Sequence, residues 1–532
     1  MLHASCGRFL LRCFAVCAVL MFFPSFALSA QKFEPGTSGP ETAVDTAGPS
    51  GHLRLTLAEA VLLCLENNRS LLVQRLNPSI RQTFEEQERA IFDPSIGADA
   101  SVGRVEGESL ARAGSETEDF TTDAAEGFIF LEQYFPTGTT VALEAGSRMD
   151  DSSLYDDTFY STRLGMTVSQ ALLRGFGTDV NRVRLQQARL DTRMTEYELR
   201  GFTEALVAQA ERTYWDYALA RRQIEIVETS LEVVRQQLEE TQELIAVGRL
   251  ARAELAAVQA EVAAQEQSLI EARANKESIR LQLLRLLNPP GDGLWEQEVE
   301  LIHQPTLPEI KLEDVGLHVA VAQRMRPVLN EARLSILRGD LQIVQTRNGL
   351  LPLMNLFITL GKSGYASSFG DSMENFTEDN YDALAGFRFH YPVGNRDAKA
   401  AHRRALLSRE QGQRALENLS QLVEVDVRTA YIEVNRTHQQ ISASSATRRF
   451  DEEKLRTETE KLRVGKSTSF LVAQAQRDLL VSRIAEVRAL ANYLKALIDL
   501  YRLDGSLLER RGIAAPGRES VQWPNDSKEP DS

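Results

Sequence analysis

The spacing of hydrophobic residues changes twice along this chain, and the whole cycle then starts again. From Leu55 the sequence LTLAEAVLLCLENN has helical periodicity, with Thr56 as N-cap and Glu59 three residues on, a capping box. The stretch RSLLVQRLNPSIRQTFEEQERAIF continues the helical pattern, predicts a kink at Pro78 and ends at Asp93 and Pro94. Between about 94 and 174 the period shortens to two and the composition turns to Gly, Thr, Ser and aromatics. That alternation predicts strands over 94–104, 127–135, 139–148 and 159–172, each of about ten residues. The acidic stretches 105–125 and 149–158 read as loops, and Phe135 to Gly138 as a tight turn.

A helical pattern then runs from about 179 to 247 with no proline and with Gly201 as its one internal glycine. At a rise of ~1.5 Å per residue such a helix is on the order of 100 Å long, and it needs neighbours to persist. Gly248 permits a tight reversal into a helix over 251–287, which NPPGDG (288–293) stops. Residues 294–310 read as a linker. A helix over 312–348 follows, then strands within 352–392 split by a polar, acidic loop at 363–380. A helix over 396–464, Gly465, and a helix over 468–504 complete the cycle, and 505–532 reads as a polar, mobile tail.

The second cycle copies the first in length. Shifted by 217 positions, the stretch from Gly177 to Leu286 lands on Gly394 to Leu503 without insertion or deletion. Tyr214 meets Tyr431, Val247 and Gly248 meet Val464 and Gly465, Gln259 meets Gln476, and Asn275 meets Asn492. Loops absorb insertions easily, so a gapless register points to rigid elements whose length matters. The pattern divides the chain into two similar halves, 52–293 and 311–504.

Composition changes this picture mainly at the N-terminus. Arg8 and Arg12 precede the run FAVCAVLMFFPSFALSA, with small residues at Ala27, Ser29 and Ala30, so residues 1–30 read as a secretory signal. A membrane anchor is the rival, but the run is short and Pro24 interrupts it. Residues 31–51 are rich in Gly, Pro, Ser and Thr and are expected to be disordered. Cys6, Cys13 and Cys17 leave with the signal; no small-residue lipobox precedes Cys17, so lipidation is not expected. Cys64 stays, on an apolar helix face, as a core residue. The formal charge is −15, and −17 once Arg8 and Arg12 are removed. Such an acidic exported chain is a poor nucleic-acid binder. With no later run of 18 apolar residues, any membrane crossing must use a closed barrel.

Enzyme signatures fail on inspection. Gly361, Lys362 and Ser363 lack the phosphate-loop glycine, since position 356 is Leu356. Gly175 and Gly177 lack a third dinucleotide-binding glycine, since position 180 is Val180. The histidines show no metal-ligand spacing, and no nucleophile elbow occurs. Neither catalytic site, cofactor nor metal is expected.

Strands of about ten residues with aromatics near their ends (Phe128, Phe130, Tyr134, Phe135, Phe159, Tyr160; then Phe357, Tyr365, Phe387, Phe389, Tyr391) match a barrel wall. A soluble β-sandwich face is the competing reading, against which stand two helices on the order of 100 Å long. With these features the chain resembles the TolC-like outer-membrane efflux proteins. The resemblance rests on the opening LTLAEAVLLCLENN with its echo KLEDVGLHVAVAQRMRPVL and on the strand-to-helix segments QALLRGFG and YPVGNR. It rests also on the tip turns VGRLARAELAAVQAE and VGKSTSFLVAQAQRDLL. It implies an α+β membrane protein of two structural repeats. Long antiparallel helices would form an α-barrel tunnel, with strands contributed to a β-barrel shared by a homotrimer in outer-membrane lipid. It also implies a long periplasmic extension whose tip meets an adaptor protein and an inner-membrane transporter. The implied docking surface is Val247, Gly248, Arg249, Leu250, Val464, Gly465, Lys466 and Ser467; the plainer reading of Gly248 and Gly465 is helix-breaking glycine alone.

The chain departs from the family pattern in two places. The common pattern has two strands per half, and the first half here offers four, with an extra hairpin at 127–148. Some members gate the tip with carboxylates six and nine positions after the second tip glycine, where this chain has Leu471 and Gln474. In the first half the sixth position is Glu254, a candidate for the lumen or aperture; a solvated helix face is the alternative. The resemblance suits an exit duct for efflux of small molecules or for type I protein secretion. A periplasmic coiled-coil scaffold without a pore is the reading from another class.

Overall fold

The computed structural model describes residues 52–110, 117–154, 156–291, 293–302, 306–307, 312–377 and 379–521. The expected signal (1–30) and disordered segment (31–51) lie outside the described residues. The chain divides into two compact units. One holds residues 82–189 and 338–410; the other holds 52–81, 190–337 and 411–521.

The first unit is built on one antiparallel sheet in the order β2-β3-β4-β5-β7-β8. Its strands are β2 (Ser95–Leu110), β3 (Thr117–Phe135), β4 (Thr139–Ser152), β5 (Phe159–Ala171), β7 (Leu353–Ala366) and β8 (Tyr381–His390). The hairpin of β3 and β4 therefore belongs to this sheet and widens it. Its turn is anchored to the strand-to-helix junction: Gly177 N–H donates to the Thr137 carbonyl at 3.2 Å, and Asn181 Nδ2 donates to the Pro136 and Gly175 carbonyls at 3.0 and 2.8 Å.

The strands are longer than the alternation suggests. The expected loop 105–125 is mostly strand, because β2 and β3 stay in register from Ser95 opposite Glu132 to Leu110 opposite Thr117. Asp123 finds a partner across the ladder: Arg104 binds both of its carboxylate oxygens, at 2.6 and 2.7 Å. The expected loop 149–158 shortens likewise, as β4 runs to Ser152. Within 363–380, β7 continues to Ala366 and a short helix, α9 (Phe369–Glu374), follows, capped by the Ser368 side chain.

In the second unit, α1 (Leu57–Asn67) starts at the expected capping box: Thr56 N–H donates to Glu59 at 2.8 Å, and Glu59 N–H donates to the Thr56 hydroxyl at 3.2 Å. The following helical stretch breaks earlier than Pro78. α2 (Arg69–Gln74) ends at Arg75, and Pro78 lies in the first turn of α3 (Leu76–Arg89), where a missing N–H costs no helical bond. After a helical turn in the first unit, α4 (Thr178–Asn181), comes α5 (Val183–Ala246), of 64 residues, most of them in the second unit. The remaining helices are α6 (Glu254–Leu287), α7 (Val315–Met325), α8 (Pro327–Gly349), α10 (Arg396–Arg463), α11 (Ser469–Leu503) and α12 (Leu507–Arg510). The expected helix 312–348 is thus two, divided at Arg326 because Pro327 opens the second.

Two segments read as irregular are folded. Within the linker 294–310, β6 (Glu298–Leu301) pairs in parallel with β1 (His52–Leu55). Within the tail 505–532, Leu507 and Leu508 are fully buried and Val521 is 6% exposed; the Tyr197 hydroxyl donates to the Glu519 carbonyl.

The core of this unit gathers Leu55, Cys64, Leu283, Leu284, Leu287, Leu500, Leu507 and Leu508. Burial pushes the Cys64 thiol up to about 12, so it behaves as a small hydrophobe. Tyr214 and Tyr217 pin the β1–β6 pair, donating to the Leu55 and Val299 carbonyls at 3.3 and 2.9 Å. Buried charges are partnered, as they must be. Arg511 binds both oxygens of the buried Glu211 at 2.5 and 2.7 Å. Arg200 donates to Glu204 at 3.1 Å and to Glu509 at 2.5 Å. Burial raises the Glu204 carboxyl to about 8 despite the nearby Arg200.

Candidate functional site: the tip turns and the two-faced sheet

Both long helices end in the same turn. In α5, Gly248 N–H donates to the Ile245 carbonyl at 3.0 Å and Arg249 N–H to Leu244 at 2.8 Å. In α10, Gly465 N–H donates to Leu462 at 3.0 Å and Lys466 N–H to Lys461 at 2.7 Å. This is the Schellman pattern, whose left-handed residue is a glycine: φ is +76° at Gly248 and +73° at Gly465. A side chain at either glycine would meet nothing within 4 Å, so conformation alone selects glycine.

The turns present their side chains to solvent. Val247 is 70% exposed and Val464 66%, and Arg249 and Lys466 are exposed beside them. Leu250 and Ser467 are half-buried. The Ser467 hydroxyl donates to Glu458 at 2.7 Å; Lys461, also at 2.7 Å, and then Ser467 hold this carboxylate below its ordinary value.

The two tips are held together. The Glu254 carboxylate, at the start of α6, accepts the N–H of Ser469, the first residue of α11, at 2.9 Å. Farther from the turns, Arg477 meets Glu261 at 3.5 Å and Gln476 donates to Gln237. Glu254 is half-buried and occupied by this bond, so it caps a helix rather than projecting as a free acid. Leu471 is 43% exposed and Gln474 is also exposed, on the first turns of α11. Sequence reasoning missed Ser469 and the 57%-exposed Phe470. The Thr468–Ser469 pair was the available signal, since Thr468 caps α11 through its hydroxyl.

The sheet has two chemically opposite faces, set by the strand register. One transverse row reads Ile96, Leu131, Leu143, Met166, Leu360, Ala383, apolar on all six strands. The next row, one residue along, reads Gly97, Phe130, Glu144, Gly165, Gly361, Asp382 and points to the other face. On that face Arg163 lies 2.7 Å from Asp382 and 3.8 Å from Glu144, and Arg148 lies 2.8 Å from Asp150 and 3.5 Å from Glu126.

The aromatic expectation needs correcting in part. Phe128, Phe130, Tyr134, Phe159, Phe357 and Tyr365 lie on the charged face, and Phe128, Phe130 and Phe357 each cover a glycine on the neighbouring strand: Gly146, Gly97 and Gly386. The apolar face carries Tyr160 and Tyr381 toward one end and Phe135, Phe387 and Phe389 toward the other. Tyr381, Phe387 and Phe389 are 79%, 65% and 65% exposed.

Among the described residues, no group of three or more His, Cys, Asp or Glu is placed to hold a metal ion. No described helix is long and apolar enough to cross a membrane.

Comparisons with known proteins agree with this geometry. The family described as "Outer membrane efflux protein" matches residues 61–289 and 319–506, well over half of the chain. No curated protein matches the chain by sequence. Solved structures do share its fold. The outer-membrane channel OprN superposes with a TM-score of 0.62 at 15% identity, over 85% of this chain and 90% of that one. The CmeC outer membrane channel of Campylobacter jejuni gives 0.63 at 14%, over 88% of each chain. The outer membrane protein VceC of Vibrio cholerae gives 0.62 at 16%, over 84% of this chain and 96% of that one. The chain belongs to the outer membrane efflux protein family, whose place is the outer membrane.

Proposed function

We propose that this protein is the outer-membrane exit duct of a tripartite efflux system, passively conducting small molecules from an inner-membrane pump through a periplasmic adaptor. The observation that carries the reading is the six-stranded sheet with one wholly apolar row and a charged opposite face. An apolar exterior with a polar, charged interior is what a water-filled barrel in lipid requires.

The sheet ends in β2 and β8, each paired on one side only. Exposed edges are a liability unless something closes them. A homotrimer closes them: β8 of one protomer runs antiparallel to β2 of the next, and three six-stranded sheets make a barrel of about eighteen strands. In this assembly the two repeats, 52–293 and 311–504, line the periplasmic tunnel with α5, α6, α10 and α11. Their matched tip turns are the adaptor-docking surface: Val247, Gly248, Arg249 and Leu250 from one, Val464, Gly465, Lys466 and Ser467 from the other.

A second reading draws on the extra hairpin. A barrel with six strands per protomer is wider than one with four, which favours larger cargo and a role as the duct of type I protein secretion. Deleting the gene and assaying both drug susceptibility and the secreted proteome separates the two. The efflux reading expects drug hypersensitivity restored by the native protein but not by a Val247→Asp/Val464→Asp double variant. Unchanged susceptibility with a missing secreted protein sinks it in favour of the second.

A further inference from the structure

The connection between β7 and β8 does not stand away from the sheet. Its helix α9 folds back onto the apolar face. Ser372, fully buried, places its hydroxyl 2.7 Å from that of Thr162. Thr162 pairs with Ser147 on β4 and Gly364 on β7, and shares the face of the apolar row. Gly364 is required there, because a Cβ would collide with the Ser372 carbonyl. Beneath this helix lies a cleft of about 410 Å³. Ile129, Ala145 and Leu164 form its floor; Phe369, Met373 and Phe376 form its wall.

The cleft is thus a recess in the face that meets lipid, and its lining is mostly apolar, with Ser147, Thr162 and Arg163 as its polar members. It sits at the end of the sheet opposite the departure of α4 and α10, which begin at Thr178 and Arg396, shortly after β5 ends at Ala171 and β8 at His390. In the outer-membrane reading this is the external leaflet. Lys362, exposed on the same face, is the register partner of Leu164 in the cleft floor and of Tyr381. An exposed cation beside a tyrosine marks headgroup level.

We propose that the cleft beneath α9 holds one acyl chain of a phosphorylated saccharolipid of the outer leaflet, with Lys362 facing its phosphate. The apolar lining supplies the chain site, its continuity with the lipid-facing surface supplies the route of entry, and Lys362 supplies the charge preference. The cleft lies wholly within one protomer, over the middle strands β3, β4 and β5, so a neighbouring copy joining at β2 or β8 leaves it open to lipid.

This inference rests on the outer-membrane reading, and the experiment keeps the two apart. The full-length protein is extracted from outer membranes and its assembly checked by heat-modifiable migration. It is then exchanged into micelles doped with lipid A bisphosphate or, separately, phosphatidylethanolamine, and retained lipid is counted by native mass spectrometry. Wild type should hold one lipid A per protomer through the exchange, at least about tenfold over phosphatidylethanolamine. Ala145→Phe, which fills the cleft from an exposed position, should abolish retention, and Lys362→Ala should remove the preference for lipid A. Should Ala145→Phe not assemble, Met373→Ser on α9 tests the same wall. Equal retention by wild type and by an assembled cleft variant, or no preference for lipid A, overturns the inference alone. Absence of the protein from outer membranes overturns the reading beneath it.

Discussion

The carboxylate of Glu254 accepts the backbone N–H of Ser469 at 2.9 Å, joining the start of one return helix to the start of the other across 215 residues of sequence. Glu254 occupies the sixth position after its tip glycine, and its counterpart Leu471 cannot make the reciprocal bond. The tip is therefore asymmetric, tied from the first repeat to the second. A carboxylate at a helix N-terminus contributes about 0.3–1 kcal/mol and a charge-assisted hydrogen bond somewhat more. Glu254→Gln should weaken the tie by about 1 kcal/mol. Backbone amides from Ser469 to Val472 should then exchange with deuterium about fivefold faster, with global melting little changed. Unchanged exchange there would show that the bond carries no weight.

The tip glycines separate conformation from contact. With φ near +75° and open space around each, alanine at Gly248 or Gly465 pays only backbone strain, about 1 kcal/mol. Asparagine, which tolerates this region, should cost less than alanine at both positions. Thermal melting of Gly465→Ala against Gly465→Asn checks the order; equal losses would point to an unseen contact.

A pH dependence follows from Glu331. Burial, and then the neighbouring Glu198 charge, raises its carboxyl from 4.5 to about 7. Between those values the folded protein holds a proton that the unfolded chain has released. This contribution to stability is therefore complete below about pH 4.5 and lost as pH rises to about 7, with no further change above. Glu331→Gln should flatten that part of the melting-temperature profile. A wild-type profile that rises over the same window, and is unaltered by the substitution, would contradict the assignment.

Asp504 is fully buried, with one carboxylate oxygen 2.7 Å from His318 Nδ1 and the other accepting the Ser506 N–H at 2.9 Å. Asp504→Ala leaves the buried imidazole and an amide without their acceptor, and should cost about 3 kcal/mol. Denaturant unfolding measures it. A loss near zero would mean that water takes over the acceptor role.

What the sequence revealed and what it hid divides along local and long-range physics. The Thr56–Glu59 box and the Gly248 and Gly465 turns were legible because each is decided within a few residues. The acidic stretch 105–125 misled, since Arg104 and Asp123 lie on different strands and only their register turns a loop-like composition into a ladder. Phe128, Phe130 and Phe357 misled for the same reason: their partners are glycines on neighbouring strands. Pro78 and Pro327 show that a proline marks the first turn of a helix as readily as a kink. Glu254 was legible as a tip carboxylate, but its bond to Ser469 was not, because nothing local announces a partner 215 residues away.

The most direct measurement is single-channel current through the purified protein in planar lipid bilayers. The two-faced sheet, closed by three protomers into a barrel of about eighteen strands, predicts a heat-modifiable trimer that opens a water-filled, ion-conducting path. A monomer recovered from the periplasm that gives no conductance would contradict it.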